Sequence, residues 1–457
     1  MIRSINPATE AVLHEYDDDS DDQIEKSLAT AAQAQASWAR TPLAERLALF
    51  GQAARVLRER KSELALLITL EMGKPLAESL GEIEKSAWNF EVYAQAAPGF
   101  LADTMVPSSA SDSRIVYDPI GLVLAVMPWN YPFWQVMRAA APVFAGGNGL
   151  VLKHASNVPQ CALAMEDVFL QAGFPAGLFT TLLVGSGKVA SLIKDRRIAA
   201  VTFTGSTPAG RSIAATAGEA LKKQVLELGG SDPFIVLADA DVEAAATAAV
   251  KARFQNTGQS CIAAKRFIVE HAIADRFVEV FCELTRKLVV GSPLDAATTQ
   301  GSMAKRSLRD ELHVQVLASV KEGARLLVGG QAIEGAGAFY QPTVLDHVRP
   351  DMTVAREETF GPAAAILRVA NAVEAVQVAN GTPFGLGAAL WTGDADLARR
   401  LSREIEAGAV FINGIVASDP RLPFGGTKES GYGRELGILG LHEFTNIKTV
   451  WTGPART

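Results

Sequence analysis

The sequence predicts an α/β fold built on parallel sheets, and three observations lead there. Short β-branched runs recur between helix-length segments from about residue 112 onward, the spacing of βαβ units. Several runs are continuously apolar, as strands covered on both faces are. Glycines follow many of them, as in open sheets that bind ligands beyond their carboxyl ends. A chain of 457 residues exceeds one simple core, so two or three domains are expected.

The elements follow in order. In "DDDSDDQIEKSLATAAQAQASW", Ser20 with Gln23 fits a capping box before an Ala-rich helix. The Asp17–Asp22 cluster lacks the glycine and terminal glutamate of a calcium loop and reads as a solvated helix start. Residues 43–96 carry two or three amphipathic helices, broken at Gly73-Lys74-Pro75. "SRIVYDPIGLVLAVMPWN" passes from alternation to an unbroken apolar run, an exposed ribbon entering a buried sheet. "NGLVLKHA", "FTTLLVGS" and "IAAVTFTGS" continue that sheet. A second series comprises "PFIVLADAD", "KRFIVE", "ARLLVGG", "AAAILRV", "GAALWTG" and "GAVFING". The stretch Gly229 to Pro233 separates the two as a domain junction.

Composition excludes several classes. With 48% apolar and 20% charged residues the chain is globular. Its net charge of −7 opposes nucleic-acid binding, which needs a basic face. The six histidines and three cysteines (Cys161, Cys261, Cys282) show no ligand spacing, so no metal site is expected. Few cysteines, no signal-like N-terminus and no run long enough for a membrane span predict a soluble, cytoplasmic protein.

Three features invite chemistry. Cys261 ends "FQNTGQSC", a run of small polar residues unlike ordinary core, although a free cysteine is commonly just a small buried hydrophobe. Glu227 lies in the apolar strand "QVLELGG". A carboxylate there either pairs with a lysine such as Lys222 or Lys223, or is a base whose pKa burial raises. "LVGSGKVA" and "FTGSTPAG" place Gly and Ser between strand and helix, where backbone N–H groups hold phosphate. Glu358, in "EETFGP", reads either as a helix-end charge or as part of a site.

Taken together, "MPWNYPFW", "FTGSTPAG", "LELGGSDP", "FQNTGQSC", "EETFGP" and "PFGGTKESGYGRE" resemble the aldehyde dehydrogenase superfamily, in its order and spacing. The likeness is greatest to its short bacterial succinate-semialdehyde dehydrogenases. The resemblance implies a Rossmann-like cofactor domain (1–101 and 121–229), an α/β catalytic domain (230–430) and a β-ribbon oligomerisation arm (102–120 and 440–457). It implies Cys261 as nucleophile, Asn130 and the Cys261 N–H as the oxyanion site, and Glu227 as the base that hydrolyses a thioester. For NAD or NADP it implies Trp129, Lys153, Ser156, Gly205, Ser206, Glu358 and Phe360. The partners implied are a small aldehyde and further copies of the chain, as a homodimer or homotetramer.

Two departures bear on the transfer. Ala263 stands where some members carry a second cysteine, which excludes a local disulfide switch. Of the residues that hold a substrate carboxylate in better-known semialdehyde dehydrogenases, Arg138 and Ser418 match, whereas a second arginine is replaced by Gln255. Arg421, in "SDPRLPFGG", is the expected substitute. Oxidation of succinate semialdehyde or a similar ω-carboxy aldehyde is therefore the leading expectation. The same chemistry on other aldehydes and a catalytically silent relative are the alternatives.

Overall fold

A computed structural model describes residues 1–453. Two sheets organise it. The first has six strands in the order Gly431–Tyr432, Lys223–Glu227, Ile198–Thr204, Leu122–Val126, Gly149–Lys153 and Phe179–Thr181. The second has seven, in the order Arg325–Val328, Thr343–Asp346, Ala363–Val369, Ala264–Glu270, Asp232–Val236, Gly387–Trp391 and Ala409–Ile412. Each is parallel except for its first strand. The chain leaves the first sheet after Glu227 and enters the second at Asp232, within the stretch read as a junction. Residues 431–432 then return to pair with Leu226 and Glu227.

Strand order in the first sheet reverses at Leu122–Val126, which has Ile198–Thr204 on one side and Gly149–Lys153 on the other. A crevice opens beyond the carboxyl ends at such a switch point. Helices Lys61–Met72, Leu76–Phe100 and Trp134–Ala145 supply much of the apolar core on one face of this sheet. The capping box at Ser20 is present, heading the helix Asp21–Trp38.

Strands Thr104–Met105, Asp112–Pro119 and Thr445–Thr452 form a separate three-stranded antiparallel sheet. The last four residues expected in the arm, 454–457, lie outside the described residues. The ribbon Ile2–Ile5 with Val12–Tyr16 and the strands Thr343–Asp346 and Gly431–Tyr432 have no counterpart in the sequence reading. No helix among the described residues is long and apolar enough to cross a membrane.

Candidate active site

The segment before Cys261 is strained. Asn256, Thr257 and Gly258 follow one another at φ of 56°, 53° and 69°, and a β-branched threonine there is an outlier. The surroundings hold it in place. The Asn256 side-chain amide donates to the carbonyls of Asn130 (2.9 Å) and Gln259 (3.0 Å), tying the two segments together. Buried Arg253 donates to the carbonyls of Gly258 (2.7 Å) and Gly361 (2.6 Å). A Cβ on Gly258 would strike the Gly361 carbonyl and Arg253, so only glycine fits. The sequence "FQNTGQSC" is thus the turn that delivers Cys261 to the N-terminal edge of the second sheet, facing the carboxyl edge of the first.

Two cavities meet at Cys261. One, of about 240 Å³, lies in the switch-point crevice between Trp129–Asn130 and Thr204–Ser206 and is closed by Leu228, Glu358 and Phe360. Trp129 and Phe360 pack edge to face at 5.8 Å. Ser206 sits at the N-terminus of the helix Thr207–Glu219, where backbone donors suit phosphate. The Glu358 carboxylate accepts from the Gly230 N–H at 3.0 Å and lies 3.5 Å from the Lys265 ammonium. Apolar walls, a helix N-terminus and a fixed carboxylate fit the nicotinamide half of a dinucleotide. Lys153 and Ser156 are not in this cavity. Lys153 is buried at the end of its strand, and Ser156 lines a small hollow with His154 and Leu183. Burial, then the positive charge of Lys305, lowers the Lys153 pKa.

The other cavity, of about 290 Å³, is lined by Tyr131, Trp134, Ile262 and Phe424 together with Glu78, Lys85, Arg138, Gln255 and Ser418. Arg138, Gln255 and Ser418 are therefore brought together as expected, but Arg138 is not free. Its Nε faces the Glu435 carboxylate in an ion pair only 2% and 1% exposed, and its guanidinium lies 4.8 Å from the Phe424 ring. Arg421 is outside the cavity: it is 67% exposed, held by Asp419 at 2.6 Å and stacked over Trp88. Its own neighbour in sequence, two residues back, takes the charge meant for substrate. Lys85 lines the cavity and was not anticipated, because a lysine on an amphipathic helix ordinarily faces water. Its spacing from Glu78 and Glu82 puts all three on one helical face, which by itself does not tell a solvated face from a cavity wall.

Cys261 and Glu227 are both displaced from their ordinary values. Burial pushes the Cys261 thiol up to about 12, against the pull of Arg138 and Lys265. Cys261 is nevertheless partly accessible at the cavity wall. Glu227 is buried and lines neither cavity, and among the described residues neither of its carboxyl oxygens has a hydrogen-bond partner. Burial and the neighbouring charge of Glu435 raise its pKa well above the usual carboxylate range. The lysines considered as its partners are engaged elsewhere, Lys222 with the carbonyls of Asp195 and Ile198 and Lys223 with that of Thr445. Asn130 directs one amide N–H to Gln259 O at 3.1 Å. Among the described residues no group of three His, Cys, Asp or Glu side chains is placed to hold a metal ion.

The chain is 49% identical over 451 residues to a probable succinate-semialdehyde dehydrogenase [NADP(+)] of Synechocystis, covering 98% of this chain and 99% of the relative. It is 49% identical over 448 residues to the succinate semialdehyde dehydrogenase [NAD(P)+] Sad of Escherichia coli, covering 98% and 97%. The crystal structure of succinic semialdehyde dehydrogenase from Streptococcus pyogenes with NADP+ superposes with a TM-score of 0.97 at 37% identity, over 99% of this chain and 100% of that one. The aldehyde dehydrogenase family model matches residues 1–450, and the chain belongs to that family.

Proposed function

We propose that this chain oxidises succinate semialdehyde, or a closely similar ω-carboxy aldehyde, to the acid with NAD or NADP. The observation that carries the reading is the meeting of two cavities at one thiol: an apolar crevice for a nicotinamide and an aromatic chamber with cationic groups for an aldehyde acid. Relatives of that name, nearly half identical over almost the whole chain, support it.

The Cys261 thiolate adds to the aldehyde carbon, and the carbonyl oxygen becomes an oxyanion. The free N–H of the Asn130 amide and the Cys261 backbone N–H stabilise that charge. The bound dinucleotide supplies the hydride acceptor. Trp129, Leu228 and Phe360 exclude water while the sulfur becomes acylated. Glu227 then takes a proton from the water that cleaves the thioester, regenerating Cys261. For this its carboxylate must swing out of the pocket it shares with Glu435.

Lys153 and Ser156 serve the adenosine ribose in this reading. A serine at 156 opposes no 2′-phosphate, in keeping with use of both cofactors. The exposed three-stranded sheet serves homo-oligomerisation.

The test is a panel of aldehydes with each cofactor, read by the absorbance of the reduced nicotinamide. Succinate semialdehyde should give the highest kcat/KM. Glu227→Gln should give a burst of reduced cofactor near one turnover per site and then slow turnover, since acylation survives and deacylation does not. Higher kcat/KM with butanal than with the acid would leave a general aldehyde dehydrogenase instead.

A further inference from the structure

Given the ω-carboxy aldehyde reading, on which this rests, the substrate carboxylate needs a cation that is not already neutralised. The cations around the cavity differ in that respect. Arg138 is paired with Glu435, and Lys74 with Glu82 at 2.5 Å. Arg421 is paired with Asp419 and faces away. Lys265 is spent on the carbonyls of Ser260, Cys261 and Ala263. Lys85 has no ion pair among the described residues. Its ammonium donates to the Ser418 hydroxyl oxygen at 2.8 Å and lies 4.3 Å from the centre of the Trp134 ring.

Ser418 supplies a second donor beside Lys85. Its oxygen also accepts from the Trp134 indole N–H at 3.1 Å. A hydroxyl has two acceptor positions and one proton. With both acceptor positions filled by Lys85 and Trp134, the proton is left to donate, and Ser418 lines the cavity. An ammonium N–H and a hydroxyl proton side by side match the two oxygens of a carboxylate. Gly81, one turn before Lys85 on the same helix, also lines the cavity and adds no side chain to obstruct it.

We infer that Lys85, acting with the Ser418 hydroxyl, is the group that binds the substrate carboxylate and sets the preference for acid-bearing aldehydes. In this arrangement Arg138 holds Glu435 and shapes the wall. Burial, then the positive charge of Arg138, lowers the Lys85 pKa to about 8, while Glu82 on its own helix and Asp419 on the facing loop oppose that shift. Lys85 is therefore charged at neutral pH and loses its proton in the mildly alkaline range. Carboxylate binding should weaken there, beyond the earlier change from Glu78, which lines the same cavity and whose pKa burial raises to about 7.

The experiment compares kcat/KM for succinate semialdehyde and butanal in wild type, Lys85→Met and Lys85→Arg, from pH 6.5 to about 9.5. In Lys85→Met the ratio of the two should fall about 30-fold or more, mainly through KM for the acid. In wild type that KM should rise above pH ~8, and Lys85→Arg, which stays charged, should keep the preference and lose the alkaline rise. Succinate should inhibit wild type competitively with the aldehyde, and Lys85→Met about 30-fold less tightly. A wild type that prefers succinate semialdehyde, with an unaltered ratio in Lys85→Met, overturns the role of Lys85 alone. An alkaline rise that persists in Lys85→Arg does the same. A wild type without preference for the acid overturns the substrate reading, and this inference with it.

Discussion

A thiol titrating near 12 is a weak nucleophile at neutral pH, so the groups around Cys261 decide how often it is ionised. Arg138 and Lys265 pull its pKa down, while burial and the charges of Glu358 and Glu227 push it up. The raised pKa means that the reactive thiolate fraction grows as pH rises. Alkylation of Cys261 by iodoacetamide in the cofactor-free protein should accelerate by about tenfold per unit between pH 7 and 9. Peptide mass spectrometry would follow it, because Cys161 and Cys282 are buried and their thiols are also raised. A rate flat with pH would mean that the thiolate is already formed at neutrality. Cys261 stood out in the sequence because the run of small polar residues before it is unlike ordinary core, and its proposed role came from the resemblance. Lys85 did not, because a helical lysine has the same spacing whether it meets water or a chamber closed by Trp134 and Ser418.

At the scale of elements, buried carboxylates cap helix starts that belong to other elements. Glu71, on helix Lys61–Met72, accepts from the N–H groups of Gln160 (3.1 Å) and Cys161 (2.9 Å) at the start of Pro159–Gln171. Glu82 accepts from the N–H groups of Phe133 (2.8 Å) and Trp134 (2.9 Å) at the start of Trp134–Ala145. Neither helix has a side-chain cap of its own, so the distant carboxylate satisfies donors that would otherwise be orphaned and complements the helix dipole. Helix positions could be inferred from hydrophobic spacing, but this capping depends on which elements pack together. The strand Thr343–Asp346 escaped for a related reason: four residues of strand carry too little pattern, and pairing with Ala363–Val369 defines it. Glu82→Ala would strand the buried Lys74 ammonium as well as two N–H groups. It should destabilise by about 3–5 kcal/mol, measured by urea unfolding. Because the capped helix follows Asn130 and carries Arg138, kcat should fall as well. A loss below about 1 kcal/mol would mean that water replaces the carboxylate at no great cost.

For the whole molecule, the least self-sufficient part is the three-stranded sheet. Isolated small sheets are marginal in water unless one face is packed. Here the strand Thr445–Thr452 is exposed from Asn446 onward, including Ile447 at 55% and Trp451 at 54%, and Met105 on another strand is 59% exposed. Thr445–Thr452 is also an edge strand, eight residues long, with one row of backbone donors and acceptors unpaired. Long edges of this kind invite another strand unless something covers them. Lys448, paired with Asp118 on the neighbouring strand, adds one charge to that edge. A second copy of the chain would cover both the apolar residues and the edge, which is the physical content of the proposed homo-oligomer. Sedimentation should accordingly give a mass of two or four chains of 48.4 kDa. Trp451→Asp with Ile447→Lys should shift it toward one chain, since a desolvated charge at such an interface costs several kcal/mol. Dissociation should also lower thermal stability, because the exposed edge and its apolar residues lose their cover. A wild-type protein sedimenting as a single chain would mean that the ribbon stands exposed and serves some other partner.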